Sequence, residues 1–216
     1  MKRNHGWWSR WLGMASVALI GMALSLPAAA QSGAPKVRVN KVQAQKVVTP
    51  FYKVNVDARA QITGDWLVLL MEYQTQGGTG KSADGKPGWH DEVTVEWNVL
   101  IPRKEGKDLL LRKKITYVDV EDKKTLHISD LYLRPAFFKR QMKGVRPSEI
   151  KYYILVKVNG QTEAKYRFPE RDTSKWWEWE PPKVQIVDDL QTRDQTPFAP
   201  VDYDFFEAIK PSADAK

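Results

Sequence analysis

The sequence predicts an all-β fold, an antiparallel β-sandwich of seven to eight strands with one short helix. Several short segments alternate between apolar and polar residues, as expected of strands that bury one face. Turn-forming residues separate these segments at short intervals. The sequence lacks the strand–helix–strand rhythm that builds a parallel sheet, which disfavours an α/β fold.

The first half of the chain contains three strand patterns and one long loop. Residues 54–62 alternate strictly and residues 66–71 are apolar on both faces, which predicts a half-buried strand followed by a central one. Residues 76–88 include five glycines and almost no apolar side chain, so they predict a loop. Residues 93–101 alternate again, and Pro102 ends this strand because proline cannot donate to the ladder.

Two more strands and the helix follow. Residues 109–120 and 125–133 have strand patterns joined by a polar connection of hairpin length. Pro135 suits the first turn of a helix, and Gly144 suits the left-handed position that ends one. The apolar residues between them are spaced for one helix face, so the sequence predicts a short helix here.

The last strands complete the sandwich. Residues 152–158 alternate, and Asn159-Gly160 follows them as a strong hairpin signal because both residues tolerate positive φ. Pro169 closes the return strand, and residues 184–190 suit a final edge strand. Strands of unequal length, interrupted by a helix, favour an immunoglobulin-like sandwich over a lipocalin-like barrel.

The chain is predicted to have three parts. Residues 1–30 combine basic residues, an uncharged apolar run and small residues at positions 28–30, which is the pattern of a cleaved signal peptide. Residues 31–190 form the predicted immunoglobulin-like sandwich. Residues 191–216 form a C-terminal tail rich in proline and aromatic residues, which packs on the sandwich or docks on a partner.

Export and composition exclude several classes of function. An exported protein, periplasmic or extracellular and cell-surface associated, meets neither nucleic acid nor an ATP supply. The net charge of +8 is spread among interspersed acids, which is typical of a solvated surface. The chain has no cysteine, which excludes disulfides, thiol catalysis, thiolate metal sites and lipid attachment through cysteine. We expect no transmembrane segment after signal cleavage.

No motif predicts a cofactor or a metal. Gly80-Lys81-Ser82 resembles the end of a phosphate-binding loop, but Thr75 stands where the first glycine is required. The two histidines beyond the signal, His90 and His127, lack the spacing of metal ligands. The interpretation we favour is that both are ordinary packed or surface histidines.

No set of residues has the arrangement that a catalytic site requires, so the chain is interpreted as a non-enzyme. His127, Ser129 and Asp130 are neighbours on one strand, where adjacent side chains point to opposite faces. A secreted hydrolase is a second alternative, and its candidate acids are spaced two apart. These acids are Glu178 with Glu180 and Asp202 with Asp204.

Aromatic residues are the strongest indication of a binding site. Trp66 and Trp97 lie in strands in phase with the core, so they are assigned to packing. The other aromatic residues either seal the sandwich, bind a protein partner or stack on a glycan. The candidate partner- or glycan-binding residues are Trp89, Trp176, Trp177, Trp179, Tyr203, Phe205 and Phe206.

Two segments carry a resemblance to known proteins: residues 66–73, Trp-Leu-Val-Leu-Leu-Met-Glu-Tyr, and residues 130–138, Asp-Leu-Tyr-Leu-Arg-Pro-Ala-Phe-Phe. With the Ala28-Ala29-Ala30 signal, they resemble small exported immunoglobulin-like proteins of verrucomicrobia such as Akkermansia. The resemblance implies an envelope protein linked to pilus-like gene clusters, with a protein of the envelope or pilus as its partner. The chain departs from prepilins, whose processing glycine is followed five residues later by Glu, because Ala18 follows Gly13 at that distance. Any pilus role is therefore accessory.

Overall fold

In the part of the chain that the structure describes, nine strands form two sheets that pack face to face. The computed structural model describes residues 36–50, 64–78, 88–122 and 126–211, without the side chain of Tyr203. The strands are β1 (Val37–Val48), β2 (Asp65–Thr75), β3 (Trp89–Ile101), β4 (Leu109–Glu121), β5 (His127–Leu133), β6 (Lys151–Val158), β7 (Gln161–Phe168), β8 (Gln185–Val187) and β9 (Ala208–Ile209). The small sheet has the order β1-β2-β5, and the large sheet has the order β7-β6-β3-β4-β8, with β9 also paired to β4. The predicted all-β sandwich is confirmed, with nine strands among the described residues instead of the predicted seven to eight.

The core lies between the two sheets and follows the predicted alternation. Val95, Trp97 and Val99 of β3 are buried on the inner face, while Glu96 and Asn98 between them are half-exposed. Trp97 packs edge-on against Tyr152 of β6 and is almost fully buried. Its assignment to packing is therefore confirmed.

The short helix α1 (Pro135–Gln141) follows β5, close to where the sequence places it. Proline occupies its first turn, Phe137 is buried, and Lys139 and Arg140 lie in the last turn, where cations are favoured by the helix dipole. Gly144 has a φ of 74° and lies beyond the helix end. The predicted hairpin at Asn159-Gly160 is confirmed between β6 and β7, where these two residues have φ values of 48° and 81°.

Strand β1 is an element that the sequence analysis did not single out. Its register against β2 shifts between Val39 and Lys41, so a bulge breaks the strict alternation on which strand prediction relies. The predicted strand at 54–62, the signal peptide at 1–30 and the Gly80-Lys81-Ser82 segment lie outside the described residues. One pairing departs from the antiparallel prediction, since β8 runs parallel to β4.

The chain after β7 covers the outer faces of both sheets. A 3-10 turn, Trp176–Glu178, lies on the large sheet, and Phe198 packs against the small sheet. Trp66 is buried as expected, but on the outer face of the small sheet with Val68 rather than between the sheets. The physical reason is that Phe198 buries that second face, so β2 is apolar on both sides.

All the described residues lie in one compact unit, so the described part of the tail belongs to the same body as the sandwich. The division at residue 190 stays a prediction. Within the described residues, none of the helices is both long and apolar enough to cross a membrane.

Candidate interaction sites

Trp176 is a core residue of the outer face of the large sheet. It is fully buried and packs with Leu100 of β3, Leu110 of β4 and Val184. Leu100 and Leu110 are paired across the two strands, so the indole covers an apolar patch that would otherwise meet water. This member of the tryptophan cluster is not available to a ligand.

Trp177 is half-buried and lies flat on Tyr153 of β6. The two ring centroids are 3.9 Å apart with an interplanar angle of 11°. Trp176 and Trp177 instead meet edge to face at 80°, with centroids 5.6 Å apart. The three clustered tryptophans therefore do not form one coplanar platform, and Trp177 with Tyr153 is the stacked pair of this surface.

Arg112 fixes the backbone of the tryptophan turn. Its guanidinium donates to the carbonyl oxygens of Trp177 and Trp179 at 3.0 and 3.2 Å, and to Glu180 Oε1 at 3.0 Å. Lys183 Nζ lies 3.7 Å from the centre of the Trp179 ring, which is a cation–π contact. Trp179 is thus half-buried with one face covered by a cation.

Trp89 begins β3 and is exposed by 44%. Its neighbour His90 is buried and contacts Asp122 Oδ1 at 2.8 Å, while the amide of Gly78 donates to Asp122 Oδ2 at 2.6 Å. Asp122 therefore joins the end of β2 to the start of β3 and fixes the backbone that carries Trp89. His90 has a structural partner, as the sequence interpretation favoured.

The tail aromatics differ in burial. Phe205 is exposed by 59%, whereas Phe206 is half-buried beneath Arg193, whose guanidinium carbon lies 3.5 Å from the ring centre. Tyr203 lies with Phe205 in the 3-10 turn Tyr203–Phe205. This turn presents Phe205 next to a well-packed segment of the tail.

A buried ion pair connects the tail to the small sheet. Arg193 Nη1 lies 3.2 Å from Asp130 Oδ2 and 3.0 Å from the hydroxyl oxygen of Tyr132, which itself donates to Asp130 at 2.6 Å. Arg193 also donates to the carbonyl oxygen of Val201. Burial raises the pKa of Asp130 above its usual value, while Tyr132 and Arg193 act to lower it. Sequence reasoning missed this pair because its members are far apart in the chain.

A second connection runs through the inner face of β5. His127 Nδ1 lies 2.7 Å from Glu207 Oε1, and His127 Nε2 lies 3.2 Å from Thr75 Oγ1. A carboxylate only accepts, so Nδ1 carries a proton, and in the neutral imidazole Nε2 accepts from Thr75. The sequence of contacts from Glu207 through His127 to Thr75 resembles a catalytic relay. Thr75 and His127 are buried in the core, however, so these contacts join the tail to β2 and β5.

The remaining catalytic candidates do not converge in the structure. Ser129 accepts from Trp97 and Tyr117 on the inner face, whereas Asp130 pairs with Arg193 on the outer face. Glu178 lies 4.0 Å from Lys175 and Glu180 lies 3.0 Å from Arg112, so these acids have different cationic partners. Asp202 and Asp204 are exposed. Across the described ranges, no three histidine or acidic side chains form a metal-binding group.

Comparisons with known proteins agree with this architecture. One family model matches residues 28–213, which is most of the chain. The chain belongs to that family. A crystal structure of a protein from Akkermansia muciniphila superposes with a TM-score of 0.70 and covers 82% of this chain and 94% of that chain, at 21% sequence identity. No curated protein matches the sequence.

These matches confirm the predicted resemblance to the small immunoglobulin-like proteins of verrucomicrobia. At this level of identity the solved structure establishes the fold alone. The family match begins at residue 28, next to the predicted cleavage site after Ala30. The family therefore covers the sandwich and nearly the whole tail, including every candidate aromatic residue.

A cleft at the edge of the sandwich was not predicted from the sequence. It has a volume of about 560 Å³ and opens between β1 and β7, with the 3-10 turn Pro147–Glu149 at one end. Tyr152, Tyr166 and Phe168 form its aromatic wall, and residues 42–44 form the opposite side. Four separate segments build this cleft, so no local motif could indicate it.

Proposed function

We propose that this chain is a non-enzymatic exported protein of the cell envelope that works by binding another protein, as an accessory of a pilus-like assembly. The signal pattern of residues 1–30 supports export. Membership of a family with the verrucomicrobial immunoglobulin-like fold supports an envelope role. The resemblance carried by residues 66–73 and 130–138 supports the pilus assignment.

The observation that carries the proposal is the placement of Phe205. Most of this large apolar ring is in water, yet it contacts Phe206, with centroids 5.7 Å apart. Phe206 is fixed by Arg193, and Glu207 is fixed by His127. Because both following residues are anchored, Phe205 is presented in a defined position that the fold itself does not use. Such a preorganised aromatic side chain is suited to a protein interface.

Substitution of Phe205 by serine is expected to reduce capture of the envelope partner by about tenfold or more, with little change in stability. The reason is that an exposed ring contributes little to folding but much to an interface. Pull-down from envelope extracts, with urea unfolding in parallel, measures both effects. Ile186→Ser, which alters another exposed apolar residue on β8, is the matched control. Equal capture by Phe205→Ser and the unaltered protein would remove Phe205 from the interface.

Carbohydrate binding is the alternative function, and the stacked Tyr153–Trp177 pair favours it. A half-exposed indole fixed on a second ring is a suitable surface for a sugar face. If this alternative is correct, a glycan array shows binding that Trp177→Ala abolishes and Phe205→Ser retains. An array without binding would reject the alternative and leave the protein-binding proposal standing.

A further inference from the structure

The two sheets differ in width on the side where the cleft opens. Among the described strands, β1 is the outermost of the small sheet, and β7 is the outermost of the large sheet on the same side. The start of β1 touches β7 through the Lys36 amide, which donates to Glu163 Oε2 at 3.2 Å. Towards Phe168 the cleft lies between the two strands.

The cleft runs along the backbone edge of β1. Three consecutive residues, Val42, Gln43 and Ala44, all line it. Successive side chains of a strand point to opposite faces, so a surface that touches all three follows the edge of the strand. Within the described residues, β1 pairs only with β2, and its other edge offers unpaired N–H and C=O groups.

The opposite wall of the cleft is an inner sheet face. From β7 only the alternate residues Tyr166 and Phe168 line the cleft, and Phe168 is exposed by 39% although it is a large aromatic residue. Tyr152 of β6 lies between them and the core. Its hydroxyl is buried yet has no hydrogen-bond partner among the described residues. This wall offers an occupant apolar contact, chiefly from Tyr166 and Phe168.

The charge around the cleft is positive. β1 carries Arg38, Lys41 and Lys46 and no acidic residue. β7 carries two bases and only Glu163 as an acid, and that acid is already bound by the Lys36 amide. A partner strand with acidic side chains directed to solvent would therefore be attracted to this edge.

The geometry points to β-strand addition at this cleft: an extended polypeptide of another protein pairs with the free edge of β1 as a fourth strand of the small sheet. Its apolar side chains pack on the aromatic wall of the cleft, and its alternate, acidic side chains point to the other face, which carries Arg38 and Lys41. Main-chain hydrogen bonds supply affinity, and the aromatic wall selects the apolar positions. The inference deepens the proposed function by giving the partner's chemistry, at a surface separate from Phe205.

A synthetic peptide of about eight residues, in which valine alternates with glutamate, tests the inference on the purified protein. We expect it to bind at least about tenfold more tightly than the same peptide with lysine in place of glutamate. On binding, alternate amides within residues 41–45 should exchange their hydrogens more slowly, because they pair with the added strand. Titration calorimetry and hydrogen exchange measure the two effects.

Two matched variants locate the binding. Ala44→Glu places a bulky charged side chain on the cleft side of β1. It is expected to lower the affinity for the glutamate peptide by about tenfold or more. Gln45→Thr changes a side chain one residue along, on the opposite face, without adding a charge, and is expected to have a much smaller effect. Equal weakening by both variants would mean that the cleft side of β1 has no special part in binding, and would overturn strand addition.

The remaining outcomes of the peptide experiment also test strand addition at β1. If neither peptide binds, no acidic strand is recognised and the inference is wrong, whereas the Phe205 experiment still tests the proposed function separately. If the protein instead self-associates without peptide, and Ala44→Glu abolishes this in light scattering, the occupant is a second copy of the chain rather than another protein. Binding without slower exchange at residues 41–45 would place the peptide elsewhere.

Discussion

Replacement of Trp176 by alanine is expected to lower the free energy of unfolding by about 3–5 kcal/mol, the usual range for deleting a large buried aromatic side chain. Trp176 is fully buried against Leu100, Leu110 and Val184. Its loss creates a cavity and exposes the outer face of β3 and β4. Urea unfolding, followed by the loss of β-sheet circular dichroism, measures the change.

Neighbouring tryptophans provide the control for this prediction. Trp177→Ala should lower the free energy of unfolding clearly less, because Trp177 is only half-buried and stacks on Tyr153 at the surface. Trp176→Phe should also be milder, since it keeps most of the volume and removes an indole N–H that has no partner among the described residues. If Trp176→Ala and Trp177→Ala cost the same, the distinction between the core residue and the surface residue would be wrong.

Replacement of Arg193 by methionine is expected to cost about 3–5 kcal/mol of stability at neutral pH, because it leaves the Asp130 carboxylate buried without its cation. The side chains of Arg193 and Asp130 are 11% and 5% exposed, so water screens the pair weakly. Adding Asp130→Asn to Arg193→Met removes the unpaired charge. The double variant should therefore recover a large part of the loss, as measured by urea unfolding.

The same variant predicts a pH dependence. The pKa of Asp130 is raised in the folded state, so its ionised form is less favourable there than in the unfolded chain. Stability therefore falls as the pH rises from the ordinary aspartate value, about 3.9, through the folded-state value. Without Arg193, the pKa of Asp130 in the folded state rises further. The loss of unfolding free energy caused by Arg193→Met should therefore be smallest in acid and grow towards neutral pH. A deficit that does not change with pH would contradict this assignment.

Several elements were predictable because their signals are local. The alternation of β3 requires only that one strand face is buried, and Asn159-Gly160 requires only that two residues accept positive φ. The helix start at Pro135 is equally local. β1 was not predicted, because its bulge between Val39 and Lys41 interrupts the pattern.

The roles of the aromatic residues were not predictable in the same way. Trp176 and Trp177 are adjacent and chemically identical in the sequence, yet a 3-10 turn directs one into the sheet and lays the other on Tyr153. Trp66 has the pattern of a core residue, but it lies on the outer face of the small sheet, where Phe198, more than a hundred residues later, packs against it. Burial here depends on partners that are distant in the chain.

The sequence by itself determined the all-β class, most strand positions, the hairpin, the short helix and the set of aromatic residues from which a binding surface can be drawn. Only the tertiary structure decided how the tail is anchored by Arg193 and Glu207, which aromatic rings stay in water, and where the cleft lies between β1 and β7. The physical reason is that secondary structure follows from the preferences of neighbouring residues. Burial, ion pairing and clefts arise instead from contacts between segments that only the folded chain brings together.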